Sequence, residues 1–284
     1  MTTSTKLLME AAVRNNVEAA LAEDIGSGDL TARLIPAAQT ARATVVSREA
    51  AVLCGTAWFE ACFRKLDENA AIQWFAQDGD AVAAGQKLVE IRGNARALLT
   101  AERPALNFLQ TLSATATLAR RYAEAVGGTG ARIMDTRKTL PGLRLAQKYA
   151  VRCGGGENQR VGLYDGILIK ENHIMAAGGI RQALEQAGKI APPGTSIQIE
   201  VENLDELGQA LDAGAKLVLL DNFDPATLRA AVKLAGSRAE LEASGGITLE
   251  TVRTVAEIGV QRISVGSLTK DVKAVDLSMR FSAA

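Results

Sequence analysis

Six short apolar runs in the second half of the chain end in residues able to do chemistry. They are Asp135 after "RIM", Lys170 after "GILI", Glu200 in "SIQIEVEN", Asp221 in "KLVLLDN", Ser244 in "LEASGG" and Gly266 in "RISVGS". From Glu200 to Asp221, Ser244 and Gly266 the steps are 21, 23 and 22 residues, the pitch of consecutive strand–helix units. A charged side chain at the end of a buried run costs too much to be left unpartnered. Three acids and a lysine at successive strand ends should therefore converge on one mouth. The expected fold is a parallel β/α barrel or sheet, in which functional residues gather at the C-terminal ends of the strands.

The same region is locally cationic. Between Arg132 and Lys170 lie eight Lys/Arg and three acids, in a chain where each class totals 32. An anionic ligand would explain the excess. Arg137 and Lys138 follow Asp135 and Thr136 in a loop closed by Pro141-Gly142, well placed to hold a carboxylate or pyrophosphate. Arg144, Lys148 and Arg152 recur at helical spacing and read as a solvated stripe. The small residues Ser244, Gly245, Gly246 and Gly266 would let a phosphate approach backbone N–H groups after the last two strands. Glu200 and Asp221 suit either Mg²⁺ or sugar hydroxyls, and Glu202 shares the strand face of Glu200. Gly154–Gly156 read first as a helix stop. His173 is the only histidine, which excludes His-rich zinc sites, and it reads as structural rather than catalytic. Lys, Arg, Asp and Glu, with an oxygen-bound metal, must then carry the reaction.

Residues 1–112 mix helical patterns with strand-like pieces, Arg42–Gly55 and Ala71–Gly93, split by turn signals at Asp78–Asp80 and Ala83–Gln86. An antiparallel sheet with helices on one face is predicted. A long helix is expected from "TAERPALNFLQ" onward, with Pro104 near its start. Leu7, Leu8, Ala11, Ala12 and Val17 predict an N-terminal helix, and neither a signal peptide nor a membrane span is read there. Zero formal charge and 4% aromatic residues argue against a nucleic-acid partner. Cys54, Cys62 and Cys153 form no CxxC and read as inert thiols in a reducing cytoplasm.

The segments "DTRKTLPGLRLAQKYAVRCGGG" and "GLYDGILIKENHI" closely resemble the quinolinate phosphoribosyltransferases, enzymes of NAD biosynthesis. So, in order, do "EDIGSGDLT", "AERPALNFLQ", "IEVEN", "LLDN", "EASGGI" and "DLSMRF", and together they span almost the whole chain. The resemblance implies an N-terminal α/β sandwich domain (1–112, with the tail 272–284 packing on it) and an incomplete parallel α/β barrel (113–271). It implies a homodimer in which each mouth faces the partner's N-terminal domain. It implies phosphoribosyl transfer from phosphoribosyl pyrophosphate (PRPP) to quinolinate with Mg²⁺, giving nicotinate mononucleotide, pyrophosphate and CO₂. By motif, Arg137, Arg160 and Lys170 surround quinolinate, with Arg103 arriving from the neighbouring subunit. Lys138 lies at the quinolinate–pyrophosphate boundary, and Thr136 and Gln159 are further substrate contacts. Glu200 and Asp221 hold ribose hydroxyls and Mg²⁺, while Ser244, Gly245, Gly246 and Gly266 take the 5′-phosphate. Lys138, Lys170, Glu200 and Asp221 are the catalytic set.

One position departs from the pattern: the family's Asn-His-Arg is "NQR" here, with Gln159 in the histidine's place. Glutamine keeps a donor but cannot titrate, so the position is expected to hydrogen-bond a carboxylate. The rivals are a molybdenum-transport-associated paralogue of the same fold, a nicotinate phosphoribosyltransferase without decarboxylation, and a catalytically silent sensor. "KENHI", "DLSMRF" and the full cation set favour the quinolinate enzyme over the paralogue; Arg103 and Arg160 would be surplus to a substrate with one carboxylate, and intact Glu200, Asp221 and Lys138 argue against a silent sensor.

Overall fold

The computed structural model describes residues 3–283. In chain order its helices are α1 (Thr3–Ile25), α2 (Thr56–Leu66), α3 (Ala95–Ala125), α4 (Arg144–Cys153), α5 (Glu171–Ala177), α6 (Ile180–Ile190), α7 (Leu204–Asp212), α8 (Pro225–Ala235), α9 (Val252–Glu257) and α10 (Ser267–Lys270). The strands are β1 (Thr40–Ser47), β2 (Ala51–Val52), β3 (Ala71–Trp74), β4 (Ala81–Val82), β5 (Lys87–Asn94) and β6 (Arg132–Met134). They continue with β7 (Gly166–Ile169), β8 (Ser196–Val201), β9 (Leu217–Asp221), β10 (Glu240–Ser244), β11 (Arg262–Ser264) and β12 (Leu277–Ala283). No helix among the described residues is long and apolar enough to cross a membrane.

The chain forms two compact units. The first comprises 1–120, 139–155 and 269–284, the second 121–138 and 156–268. This partition is more interleaved than a boundary at 112/113. The packing of α4 explains its place: Ala146 and Ala150 join the buried cluster of the first unit with Trp58, Phe59, Leu109 and Leu112.

In the first unit an antiparallel sheet runs β12-β1-β5-β3. From Ala41 onward strand β1 alternates buried and half-buried residues, as a sheet with one packed face requires. The tail pairs with β1 in register, Ala43 opposite Phe281 and Val45 opposite Met279. Two local expectations are corrected here. Helix α3 begins at Ala95, where Asn94 Oδ1 accepts from the amides of Arg96 and Ala97. Pro104 therefore lies inside the helix, where it leaves the Thr100 carbonyl without its amide donor. In α1, Val17 and Leu21 are buried and Met9 and Val13 pack beside them, whereas Leu7 and Leu8 are exposed.

The second unit is a parallel sheet ordered β6-β11-β10-β9-β8-β7. All six runs singled out in the sequence are its strands. Strands β8, β9 and β10 are buried through their centres, which is why they read as near-continuous apolar runs. Along the free edge of β6 lies a short parallel bridge from Met134 to Glu157, held by Asp135 N to Glu157 O and Glu157 N to Ile133 O. That bridge sets the position of Gln159 and Arg160.

Candidate active site

Period-two alternation decides which side chains reach the C-terminal end of the sheet. Lys170 follows β7, Glu200 lies near the end of β8, and Asp221 and Ser244 close β9 and β10. These residues line one cavity of about 290 Å³, together with Thr136, Arg137, Lys138, Gln159, Arg160, Leu168, Leu219 and Ser264. Its size suits a small-molecule site. Every lining residue belongs to the second unit.

The opening charge imbalance resolves here. Four of the eight cations, Arg137, Lys138, Arg160 and Lys170, line the cavity. They face two carboxylates, Glu200 and Asp221. Of the others, Arg132 is taken up by Glu157 and Glu240 at 3.3 and 3.1 Å. Arg144, Lys148 and Arg152 ride on α4 in the first unit. The solvated-stripe reading is corrected for Lys148, which is only 2% exposed beside buried Gln147 and Val151, whereas Arg144 is half-buried and Arg152 exposed.

The mouth is internally braced. Lys170 Nζ bridges both Glu200 oxygens at 2.8 and 2.7 Å. Glu202 stands exposed beyond the end of β8, its amide donating to Glu206 Oε2 at 2.8 Å, so the two glutamates have separate roles. Asp135 is fully buried and accepts from Asn158 Nδ2 at 2.6 Å and from the Gln159 amide at 2.8 Å. It tethers the "NQR" segment rather than presenting a charge to the cavity. Arg160 Nη1 donates to the Gly166 carbonyl at 3.0 Å. Burial, and then the neighbouring Arg137, hold the Arg160 guanidinium below its usual value, with Asp165 opposing. Two guanidiniums kept near one another in a partly dry pocket lower their mutual repulsion when an anion lies between them.

At the ends of β9 to β11 the backbone opens. Gly245 and Gly246 have φ of +101° and +60°, and Asn222 holds a left-handed φ of +57°. A Cβ on Gly245 would run into the Asn222 side chain. One on Gly266 would meet Lys138 Cδ at 3.2 Å, so this glycine lets the lysine lie across the strand end. His173 Nδ1 accepts from the Lys170 amide at 3.0 Å at the N-terminus of α5, a structural role. Gly154 ends α4, as read. Arg103 is exposed on α3 of the first unit and is not among the lining residues.

The sequence reading passed over Leu168, Leu219, Gln198, Glu242, Ser264 and Asn222. Each could have been reached by stepping two residues back along a strand from a mouth residue, or one residue past its end.

A family model for the C-terminal domain of quinolinate phosphoribosyl transferase matches residues 115–280, and one for its N-terminal domain matches 29–113. The chain belongs to the quinolinate phosphoribosyl transferase family. Within this family it is 44% identical over 257 residues to a probable carboxylating nicotinate-nucleotide pyrophosphorylase of Bacillus subtilis, covering 90% of this chain and 89% of that one. It is 38% identical to a mitochondrial decarboxylating quinolinate phosphoribosyltransferase of Nicotiana tabacum, covering 92% of this chain and 80% of that one. The solved nicotinate-nucleotide pyrophosphorylase of Francisella tularensis is 44% identical, with a TM-score of 0.93 over 96% of this chain and 97% of that one.

Proposed function

We propose that this quinolinate phosphoribosyl transferase family member joins quinolinate to PRPP and releases pyrophosphate and CO₂, leaving nicotinate mononucleotide. The observation that carries this reading is the convergence of Arg137, Lys138, Arg160 and Lys170 on a cavity walled by Leu168 and Leu219. Such a pocket suits a flat ring bearing more than one carboxylate. Guanidiniums grip carboxylates in their own plane, and leucine faces accept the ring.

Arg137, Arg160 and Lys170 hold the dicarboxylate in this reading, with Arg103 supplied by a second copy of the chain in a homodimer. Glu200 and Asp221 take the ribose hydroxyls, and Ser244, Gly245, Gly246 and Gly266 the 5′-phosphate. Among the described residues no three His, Cys, Asp or Glu side chains come together as a metal cage. Mg²⁺ ordinarily binds through one or two carboxylates with substrate oxygens and water completing its shell, so half-exposed Asp221, with Glu200, fits it. When bound, Mg²⁺ neutralises charge on the pyrophosphate. Lys138, beside Gly266, stabilises the charge that builds as the bond from C1′ to pyrophosphate breaks. The clamp holds the ring nitrogen against C1′, so the new N–C1′ bond forms as that bond is lost. As the C2–carboxylate bond breaks, its electron pair stays on C2, where the adjacent cationic nitrogen stabilises it; CO₂ departs and that pair takes up a proton. A cytoplasmic location accords with three unpaired thiols, Cys54, Cys62 and Cys153.

Chromatographic detection of nicotinate mononucleotide from quinolinate, PRPP and Mg²⁺ tests this reading. Equal use of nicotinate in place of quinolinate would show that the cation set does not select a dicarboxylate.

A further inference from the structure

Glu242 lies wholly buried on β10, two residues before Ser244 and so on the same inward face. Branched apolar side chains usually fill this layer of a β/α barrel, and a buried carboxylate is costly unless it is paired and hydrogen-bonded. Arg262 Nε lies 3.0 Å from one Glu242 oxygen. Gln198 Nε2 donates to the same oxygen at 3.0 Å. The other oxygen accepts short hydrogen bonds from Ser264 Oγ and Gln159 Nε2. Glu242, Gln198 and Arg262 stay out of the cavity lining, whereas Gln159 and Ser264 belong to it.

The direction of each bond follows from chemistry. An ionised carboxylate only accepts, so Gln159 must face Glu242 with its amide nitrogen. The same nitrogen points to Gln198 Oε1 at 3.4 Å, which directs both of its hydrogens into the protein. Gln198 is oriented by the same rule, and the Ser264 hydroxyl spends its hydrogen on Glu242. One buried carboxylate thus fixes the attitude of two residues in the cavity wall.

We propose that Glu242 is a positioning residue for the transfer reaction, acting through Gln159 and Ser264 to set the wall against which the pyridine dicarboxylate docks. This rests on the quinolinate reading above. The test is a double-mutant cycle of Glu242→Gln and Gln159→Met in the Mg²⁺-loaded enzyme, with steady-state KM measured separately for quinolinate and PRPP. Glu242→Gln should raise the quinolinate KM about tenfold, as loss of hydrogen bonds to a charged group does, with the PRPP KM unchanged to within about twofold. In the Gln159→Met background the same substitution should add clearly less, because one of the two residues through which it acts is gone. Equal effects in both backgrounds, or parallel rises in both KM values, would mark a merely structural role and overturn the proposal. If Glu242→Gln does not fold, Gln198→Met replaces it in the cycle, since it keeps the carboxylate and its arginine; the same non-additivity is expected and additivity is again fatal. A wild-type protein that fails to convert quinolinate with PRPP removes the functional reading as well. Conversion by wild type with additive variants removes only the role of Glu242.

Discussion

Replacing Arg160 by Met tests whether the cation pair waits for an anion. Arg160 is opposed by burial and by Arg137, with Asp165 partly compensating, and it donates a 3.0 Å bond to the Gly166 carbonyl. Losing that bond costs about 1 kcal/mol, and relief of the like-charge contact offsets part of it. A chain of this size shifts by about 2–4 °C per kcal/mol, so the unliganded melting temperature should move by no more than that. Binding is different, because a charge-assisted bond to a carboxylate is worth about 1.5–3 kcal/mol. The quinolinate KM should therefore rise by about 10- to 150-fold. Thermal scans supply the second readout. Quinolinate at about 100 times its Kd adds roughly 2.7 kcal/mol to the wild type, and most of that gain should vanish in Arg160→Met at the same concentration. A variant that keeps both the KM and the ligand-induced shift would refute the assignment of Arg160 to quinolinate.

Four further outcomes are expected. Lys170→Ala should lower kcat/KM for quinolinate by about 100-fold or more, since it also strips the Glu200 carboxylate of its bridging partner; a loss of only a few-fold excludes Lys170 from the clamp. Gly245→Ala should raise the PRPP KM more than Gly246→Ala, because a Cβ at 245 collides with Asn222 whereas none lies near 246; equal values would argue against a shaped phosphate cup. Mixing inactive Arg103→Ala with inactive Lys170→Ala should restore up to about a quarter of wild-type activity if sites are shared across a two-fold dimer, and no recovery in verified mixed dimers contradicts sharing. Hydrogen bonds from Lys87, and then Arg92, hold the Glu90 carboxyl down to about 2 from 4.5. A depressed carboxyl contributes stability above its unfolded value that is lost as pH falls. The urea-midpoint gap between wild type and Glu90→Gln should thus be full above pH 4.5 and close toward pH 2; a gap indifferent to pH would show the ion cluster to be inert.

Much of the site was legible because parallel strands buried on both faces leave an apolar run that stops at a polar residue. That grammar located all six strands of the second unit and the mouth residues Lys170, Glu200, Asp221 and Ser244. It failed where polarity hides inside a run: Glu242 and Gln198 sit mid-strand, and their burial follows from mutual pairing that only the closed geometry creates. Asp135 was legible as a strand-end acid but not as a tether, because its partners at 158 and 159 arrive through a bridge along the β6 edge. Helical spacing gave the α4 cations a shared face without saying that Lys148 would be buried. Gln159 shows the limit most clearly. Its departure from the family's histidine was visible at once, yet the commitment of its amide hydrogens depends on two strands, β8 and β10. Gln159→His should accordingly change the quinolinate KM by no more than about tenfold, and a hundred-fold rise in kcat would instead reveal proton chemistry at this position.

The most direct measurement is release of labelled CO₂ from quinolinate carrying ¹⁴C in its 2-carboxylate, with Mg²⁺, in the presence and absence of PRPP. A PRPP-dependent release matched one-to-one by pyrophosphate is the predicted result. A folded protein that binds PRPP but releases no CO₂, or releases it without PRPP, would contradict the assigned reaction.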